Sequence, residues 1–268
     1  MQIDLSGRGA IITGASKGLG LAMGTRFAAS GADVMLLART PEPLEEARAS
    51  VTEAARAAGS KGRVAVHACD VATADGVQSG YAAAMAAFGK LDIVVNNAGI
   101  SRAMPFTEVT DALWQADLDL KLFAAIRLIR LAWPQMAERR WGRVINVLNI
   151  GAKAPRANGA PTAVSRAAGM ALTKVLANEG APHNVLVNAL LVGQIESDQW
   201  VRRHKAQAAA GNNTPIEEFL GAMGAKIPLG RLGRAEEFAA TACFLVSELG
   251  GYITGTAINV DGGASPVV

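Results

Sequence analysis

Residues 9–20 read GAIITGASKGLG, and this stretch decides the fold. The apolar run Gly9–Thr13 passes directly into a loop that carries Gly14, Gly18 and Gly20. Glycines at this spacing let backbone N–H groups approach a phosphate closely, and a helix that begins near residue 18 adds the positive end of its dipole at the same point. The stretch therefore predicts a strand, an anion-binding turn and a helix, which is how a nucleotide-binding α/β fold begins.

Outward from this stretch, short apolar runs alternate with longer segments of helical periodicity. Near-continuous apolar runs are typical of parallel strands that are covered on both faces. The alternation predicts right-handed βαβ units, and the fold class is therefore α/β, a Rossmann-type doubly wound sheet of about seven parallel strands in a single domain over residues 1–268. Strands are expected at 9–13, 33–38, 63–68, 91–96, 143–148, 184–190 and 256–260, and helices at about 18–29, from 43 onward, and at 111–139, 161–178 and 235–246.

One long polar segment interrupts the alternation. Residues 194–228 contain Gly, Asn and helical fragments, and a long insertion of this kind is typical of an active-site lid. We therefore expect a substrate lid at about residues 194–228.

The composition limits the function classes. The chain is 50% hydrophobic, so a sizeable core is available, and its net charge of +3 is scattered, which argues against nucleic-acid binding. The two cysteines lie in apolar surroundings without metal-ligand spacing, so no metal site is expected. The N-terminal residues carry no signal-peptide pattern, and apolar runs of membrane-spanning length are missing, so we expect no membrane association and a cytoplasmic location.

Further landmarks follow the predicted strands in order. Asp70 and Val71 follow the third strand, residues 96–99 (NNAG) follow the fourth, and residues 230–234 (GRLGR) precede the last helix. Together with the spacing Thr-Gly-x-x-x-Gly-x-Gly, these motifs resemble the short-chain dehydrogenase/reductase family over nearly the whole chain. The resemblance implies that the following residues bind a nicotinamide cofactor: Gly14, Ser16, Lys17, Gly18, Leu19, Gly20, Arg39, Asp70, Val71, Asn97, Ala98, Gly99, Arg166, Gly193 and Ile195.

The end of the second strand indicates which cofactor is preferred. An NAD-preferring site needs a carboxylate there to accept a hydrogen bond from the ribose 2′-OH. This chain has Ala38 at that position, followed by Arg39, and Lys17 lies in the glycine loop. Because two cations and no carboxylate suit a 2′-phosphate, we expect NADP(H) rather than NAD(H).

The family's Tyr-x-x-x-Lys pair is missing. The chain has two tyrosines, Tyr81 and Tyr252, and the residues four positions later are Met85 and Thr256. A lysine lowers the pKa of the family's tyrosine, which then transfers the proton. The proton chemistry of this chain must therefore differ from that of the family.

By resemblance, the family's four catalytic positions carry other residues here. Asn149 stands in the place of the serine, Thr162 in the place of the tyrosine, Arg166 in the place of the lysine and Lys121 in the place of the asparagine. Asn149 keeps a donor that can stabilise an oxyanion. A threonine hydroxyl is a much weaker acid than a phenol, and an arginine holds anions but does not relay protons.

Neighbouring residues offer few replacements for the missing acid. Lys121 is able to titrate if it is buried, but beside Arg166 it is expected to be repelled or solvated, and Ser165 is expected to pack in its helix. Lys153 and Arg156 follow Asn149 and are candidates for contact with an anionic small-molecule substrate.

Three functions stay open at this point. The chain is an oxidoreductase on a carbonyl/alcohol pair with an atypical proton path, a non-redox lyase, hydrolase or isomerase on the same fold, or a catalytically silent nucleotide-binding sensor or partner subunit. Apolar stripes on the helices at 111–139 and 161–178, together with the resemblance, predict a homotetramer or a dimer.

Overall fold

The computed structural model describes residues 3–196, 204–205, 207–208 and 214–268. The strands of these residues are β1 Gly9–Thr13, β2 Asp33–Ala38, β3 Val64–Ala68, β4 Ile93–Asn96, β5 Ala103–Met104, β6 Gly142–Asn149, β7 Ala160–Pro161, β8 Val185–Val192 and β9 Ala257–Val260. Seven of them form one parallel sheet in the order β3-β2-β1-β4-β6-β8-β9, and β5 and β7 form a small antiparallel pair. The predicted α/β fold is confirmed, and the ends of the seven predicted strands agree with the structure to within two residues.

Helices cover both faces of the large sheet. On one face, Met23, Phe27 and Phe238 belong to a core of fully buried side chains, and on the other face Leu128 and Ile129 belong to a second core. The described helices are α1 Gly18–Ala29, α2 Pro41–Ala57, α3 Ala74–Phe88, α4 Asp111–Leu118, α5 Ala124–Glu138, α6 Thr162–Gly180, α7 Ile216–Gly224 and α8 Ala235–Val246. Two cores around one sheet explain why the central strands are apolar on both sides.

The prediction of one uninterrupted helix at 111–139 is wrong, because the helix is divided in two. A five-residue π-helical turn, Asp119–Phe123, separates α4 from α5 and carries Lys121. π turns inside helices are frequent at functional sites, because the wider turn redirects one side chain relative to its neighbours.

The sequence did not predict helix α3 or the short strands β5 and β7. Helix α3 is rich in alanine and has little contrast between its faces, and its start is fixed by Thr73, whose hydroxyl accepts a hydrogen bond from Gly76 N at 3.0 Å. The pair β5 and β7 is too short to leave a periodic pattern, yet it joins the segment before α4 to the start of α6.

The predicted lid lies partly outside the described residues. Of residues 194–228, the structure describes 194–196, 204–205, 207–208 and 214–228, which include α7. Among the helices of the described ranges, none combines the length and the apolarity that a membrane span requires.

Candidate active site

A large cavity opens at the carboxyl ends of the parallel strands. Its volume is about 550 Å³, and its walls come from the segments that follow β1, β2, β3, β4, β6 and β8. Ligands of open α/β sheets bind at this edge, where neighbouring strands lead to helices on opposite faces. The cavity therefore lies where the sequence placed the nucleotide site.

The loop between β1 and α1 is held against the segment that follows β4. Gly14 has a φ of +66°, and an added Cβ there would lie 2.9 Å from the Cα of Ala98. Asn97 Nδ2 donates to the carbonyl oxygens of Thr13 and Gly14 at 2.9 and 3.0 Å. Asn97 thus holds the glycine loop in place, and this structural role comes in addition to the cofactor contact that the sequence predicts for it.

The N-terminus of α1 faces the same cavity without a side-chain cap. Lys17 occupies the N-cap position and makes no capping hydrogen bond with its side chain, and the first turn holds no acidic residue. An uncapped helix start presents backbone N–H groups and a positive dipole to an anion. Gly18 and Gly20 lie in this turn but, unlike Ser16, Lys17 and Leu19, they do not line the cavity wall.

One end of the cavity is formed by the residues that are predicted to select NADP(H) over NAD(H). Ala38 ends β2 there, and Arg39 follows it as an exposed side chain. Asp70 and Val71 line the same end from the segment after β3. Cys69 lies beside them, and burial raises the pKa of its thiol to about 11, so this thiol is un-ionised at neutral pH.

The other end of the cavity brings together Asn149, Thr162, Arg166, Gly193 and Ile195. Arg166 donates to the carbonyl oxygen of Val147 at 2.6 Å, and its guanidinium lies against Gly99, where an added Cβ would clash. Burial lowers the pKa of Arg166 to about 10, and Asp117 partly offsets this effect, so the guanidinium stays charged at neutral pH.

Lys121 does not line the cavity, and the expectation that it is repelled or solvated is wrong. Its side chain is 0% exposed, and Nζ donates to Asp117 Oδ1 at 2.5 Å and to Thr162 Oγ1 at 2.8 Å. The carboxylate of Asp117 lies one helical turn before Lys121. Its negative charge compensates the buried ammonium and offsets the repulsion from Arg166. Lys121 thus stands directly behind the wall residue Thr162.

Asp117 and Ser165 were not predicted as site residues. Asp117 is buried, and Ser165 Oγ donates to its Oδ2 at 2.6 Å, so each carboxylate oxygen has a partner. Ser165 is buried in α6, as expected, and it also contacts Asp117 of α4. The spacing of four residues between Asp117 and Lys121 is a signal in the sequence, because such residues meet on one helix face.

The Thr162 hydroxyl is the meeting point of three elements. It accepts from Lys121 Nζ and from Arg102 N, the latter at 3.0 Å, and it donates to Arg102 O at 2.9 Å. Its one proton and two lone pairs are thereby used. The hydroxyl joins the π turn, the segment before β5 and the start of α6.

The environment of Lys121 changes its acidity. Burial lowers the pKa of its ammonium from an ordinary 10.5 to about 8, and the charges of Arg166 and Arg102 act in the same direction. Asp117 opposes this shift through its hydrogen bond and its charge. A pKa near neutrality is what general acid–base catalysis requires.

A second, smaller cavity adjoins the first. It has a volume of about 200 Å³ and shares Ser101, Asn149 and Thr162 with the large one. The remaining wall is mostly small and apolar, and Arg156 is the one charged residue on it. Lys153, expected to meet an anionic substrate, instead donates to the carbonyl oxygen of Ala257 at 2.7 Å and points to the edge of the sheet.

Known proteins resemble this chain over its whole length. A family model described as enoyl-(acyl carrier protein) reductase matches residues 14–265. The 3-oxoacyl-[acyl-carrier-protein] reductase FabG of Aquifex aeolicus is 31% identical over 265 residues, which are 98% of this chain and 99% of that protein.

Solved structures agree closely with the fold. L-Sorbose reductase from Gluconobacter frateurii, complexed with NADPH and L-sorbose, has a TM-score of 0.93 at 34% identity, with 100% of both chains covered. An NADPH-bound short-chain oxidoreductase from Pseudomonas aeruginosa PAO1, described as containing an atypical catalytic center, has a TM-score of 0.89 at 35% identity, with 99% of this chain and 100% of that chain covered. The chain belongs to the short-chain dehydrogenase/reductase family of oxidoreductases.

Proposed function

We propose that this protein is an NADP(H)-dependent oxidoreductase that acts on a carbonyl/alcohol pair with an atypical set of catalytic residues, Lys121, Asn149, Thr162 and Arg166. The observation that carries the proposal is the continuous cavity, which has the glycine loop at one end and three of these four side chains at the other. We also propose that residues 1–268 act as one nucleotide-binding domain, with residues 194–228 as its lid.

The cavity has the features that a dinucleotide needs. The uncapped start of α1 suits the pyrophosphate, and Arg39 beside Ala38 suits a 2′-phosphate. At the other end, Arg166 Nε and Asn149 Oδ1 are buried and have no hydrogen-bond partner among the described residues. Buried polar atoms of this kind call for a ligand, and NADPH is the cofactor in both solved neighbours.

Each proposed catalytic residue has a different task. The cofactor, when bound, supplies or accepts the hydride, so the chain itself must position the carbonyl and handle the proton. The Asn149 amide is placed to donate to the carbonyl oxygen at the junction of the two cavities. Arg166, charged and fixed on Val147, holds the cofactor or an anionic group and does not exchange protons at neutral pH.

One titration and one turnover screen test the proposed function together. We expect NADPH to bind with a micromolar or lower dissociation constant, as is common for enzyme ligands, and to be oxidised when short carbonyl compounds are added. Tight binding with no turnover across a broad carbonyl and alcohol screen would favour the silent nucleotide-binding alternative. Conversion of a substrate without any change in the cofactor's redox state would favour the lyase, hydrolase or isomerase alternative.

The second cavity supports a short substrate that carries an anionic group. Its volume of about 200 Å³ is below the usual range for drug-sized ligands, and its walls are mainly small apolar residues. Arg156 lies on this wall, and its guanidinium has no partner among the described residues. We therefore propose short oxo acids or hydroxy acids as the substrate class.

Replacing Arg156 tests this substrate class. Arg156→Ala is expected to raise KM for a carboxylate-bearing substrate by about 10- to 100-fold, which is the value of one charge-assisted hydrogen bond. KM for a neutral ketone of similar size should stay the same. Lys153→Ala is the matched control, because this cation of the same loop is engaged with Ala257, and equal effects of both changes on KM would rule out the assignment.

We further propose that the protein is a homotetramer or at least a dimer. Val164 and Val175 are 53% and 52% exposed, and both lie with Ala171 on the outer face of α6. Apolar stripes on an exposed helix face indicate a partner surface. We expect light scattering at micromolar concentration to give a multiple of the chain mass and Val164→Glu with Val175→Glu to lower it, whereas a monomeric parent would refute the proposal.

A further inference from the structure

A buried network behind the cavity wall links four side chains in a fixed order. Ser165 Oγ donates to Asp117 Oδ2 at 2.6 Å, Asp117 Oδ1 accepts from Lys121 Nζ at 2.5 Å, and the same ammonium donates to Thr162 Oγ1 at 2.8 Å. Of these side chains, only Thr162 lines the cavities. The network therefore ends at the place where a substrate carbonyl would sit.

We propose that Lys121 is the proton donor for carbonyl reduction, that the Thr162 hydroxyl carries the proton from Lys121 to the substrate oxygen, and that Asp117, held by Ser165, is the positioning residue that keeps the ammonium against that hydroxyl. This inference rests on the proposed oxidoreductase function and gives that function its missing acid. Neither Asp117 nor Ser165 occupies one of the positions that the resemblance assigns to catalysis.

The geometry explains why a threonine suffices. A hydroxyl alone is too weak an acid, but it transfers a proton when an ammonium replaces that proton in the same step. The short side chain of Thr162 leaves the substrate room to approach, since Thr162 lines both cavities. Because all three hydrogen-bonding positions of the hydroxyl are used, donation to a substrate requires Thr162 to give up its hydrogen bonds with Arg102 while it keeps the one from Lys121.

The step balances in atoms and charge. As a hydride adds to the carbonyl carbon, the carbonyl oxygen takes the Thr162 proton, the Thr162 O–H bond breaks, and an N–H bond of Lys121 breaks to restore the hydroxyl. The products are an alcohol, the oxidised cofactor and a neutral lysine. After the alcohol leaves, water in the cavity returns a proton to Lys121 through the same hydroxyl, because Lys121 itself is closed off from solvent.

Charged groups from three elements set the acidity of this lysine. Asp117 of α4 raises its pKa, whereas Arg166 of α6 and Arg102 of the segment before β5 lower it, and burial lowers it most, to about 8. Because the protonated lysine is the donor, the rate of reduction is expected to be constant below about pH 8 and to fall tenfold per pH unit above it.

Variants of Thr162 and Asp117 separate a proton relay from a purely structural network. Thr162→Val keeps the shape and removes the hydroxyl, so kcat should fall by about 10²- to 10⁴-fold while the dissociation constant of NADPH changes less than about twofold. Thr162→Ser restores a hydroxyl and should keep kcat within about tenfold. Asp117→Asn should move the alkaline limb of the pH–rate profile to lower pH by about 1 unit or more, because it removes the charge that holds the proton on Lys121.

A second readout does not depend on turnover. NMR of lysine labelled at Nζ, with the Lys121 signal identified by its loss in Lys121→Arg, should give a midpoint near pH 8 in the parent protein and a lower midpoint in Asp117→Asn. The relay is overturned if Thr162→Val keeps the kcat of the parent protein. It is also overturned if Asp117→Asn changes neither the alkaline limb of the pH–rate profile nor the NMR midpoint of Lys121. Both outcomes leave the oxidoreductase function standing. A parent protein that reduces no carbonyl with NADPH overturns that function and the relay with it.

Discussion

Replacing Lys121 with methionine is expected to lower the free energy of unfolding by about 3–5 kcal/mol, which is the usual cost of leaving one charge of a buried pair without its partner. The side chains of Lys121 and Asp117 are 0% and 1% exposed, so water cannot replace the lost ammonium. Urea unfolding followed by tryptophan fluorescence, at one protein concentration and extrapolated linearly, measures the change.

The paired change identifies the cause of this loss. Lys121→Met combined with Asp117→Asn removes both charges and should recover about 1–3 kcal/mol relative to Lys121→Met alone, because residues in direct contact are not additive. Lys61→Met is the control for the same change at an exposed position and should stay within about 0.5 kcal/mol of the parent protein. If Lys121→Met and the paired variant lose the same free energy of unfolding, the two side chains have no measurable interaction energy and the ion pair is not the cause of the loss.

The same pair limits how the usual family residues can be restored. Lys121→Asn, Asn149→Ser, Thr162→Tyr and Arg166→Lys together would rebuild the common set of four, but they would leave the Asp117 carboxylate buried beside a neutral amide. We therefore expect Asp117→Asn to be needed beside them to keep the scaffold folded, because Asp117 is the buried partner of Lys121.

Much of the fold is readable from the sequence, because its signals are local. The apolar runs that became β1 and β2 are nearly continuous, and the glycine spacing after β1 fixes where the first helix starts. Most of the expected cofactor residues line one cavity for the same reason, since the carboxyl ends of parallel strands meet at one edge of a sheet.

The buried hydrogen-bond network around Lys121 is not readable from the sequence, because it depends on packing between distant segments. Asp117 and Ser165 are 48 residues apart, and only the approach of α4 to α6 places the carboxylate beside the hydroxyl. From the sequence, Lys121 and Arg166 are two like charges that repel each other. The buried carboxylate of Asp117, which accepts a hydrogen bond from Lys121, reverses that expectation.

The second large effect concerns the choice of cofactor. Arg39→Asp is expected to convert a preference for NADPH into a preference for NADH. Arg39 is exposed at the cavity end formed by Ala38 and Asp70, and its guanidinium has no partner among the described residues. A guanidinium binds a 2′-phosphate through charge-assisted hydrogen bonds worth about 1.5–3 kcal/mol, whereas a carboxylate repels that phosphate and accepts from a free ribose 2′-OH.

Calorimetric titration with both cofactors measures the expected reversal. The parent protein should bind NADPH at least about 10-fold more tightly than NADH, and Arg39→Asp should change the ratio of the two dissociation constants by about 100-fold or more. Arg56→Asp makes the same charge change at the exposed far end of α2 and should leave the ratio as it is, because a charge at that distance is screened by salt. Equal or tighter binding of NADH by the parent protein would contradict the assignment of Arg39 to the 2′-phosphate. If Arg39→Asp leaves the ratio of the two dissociation constants unchanged, the 2′-phosphate contact would be assigned to Lys17, the other cation on this side of the cavity.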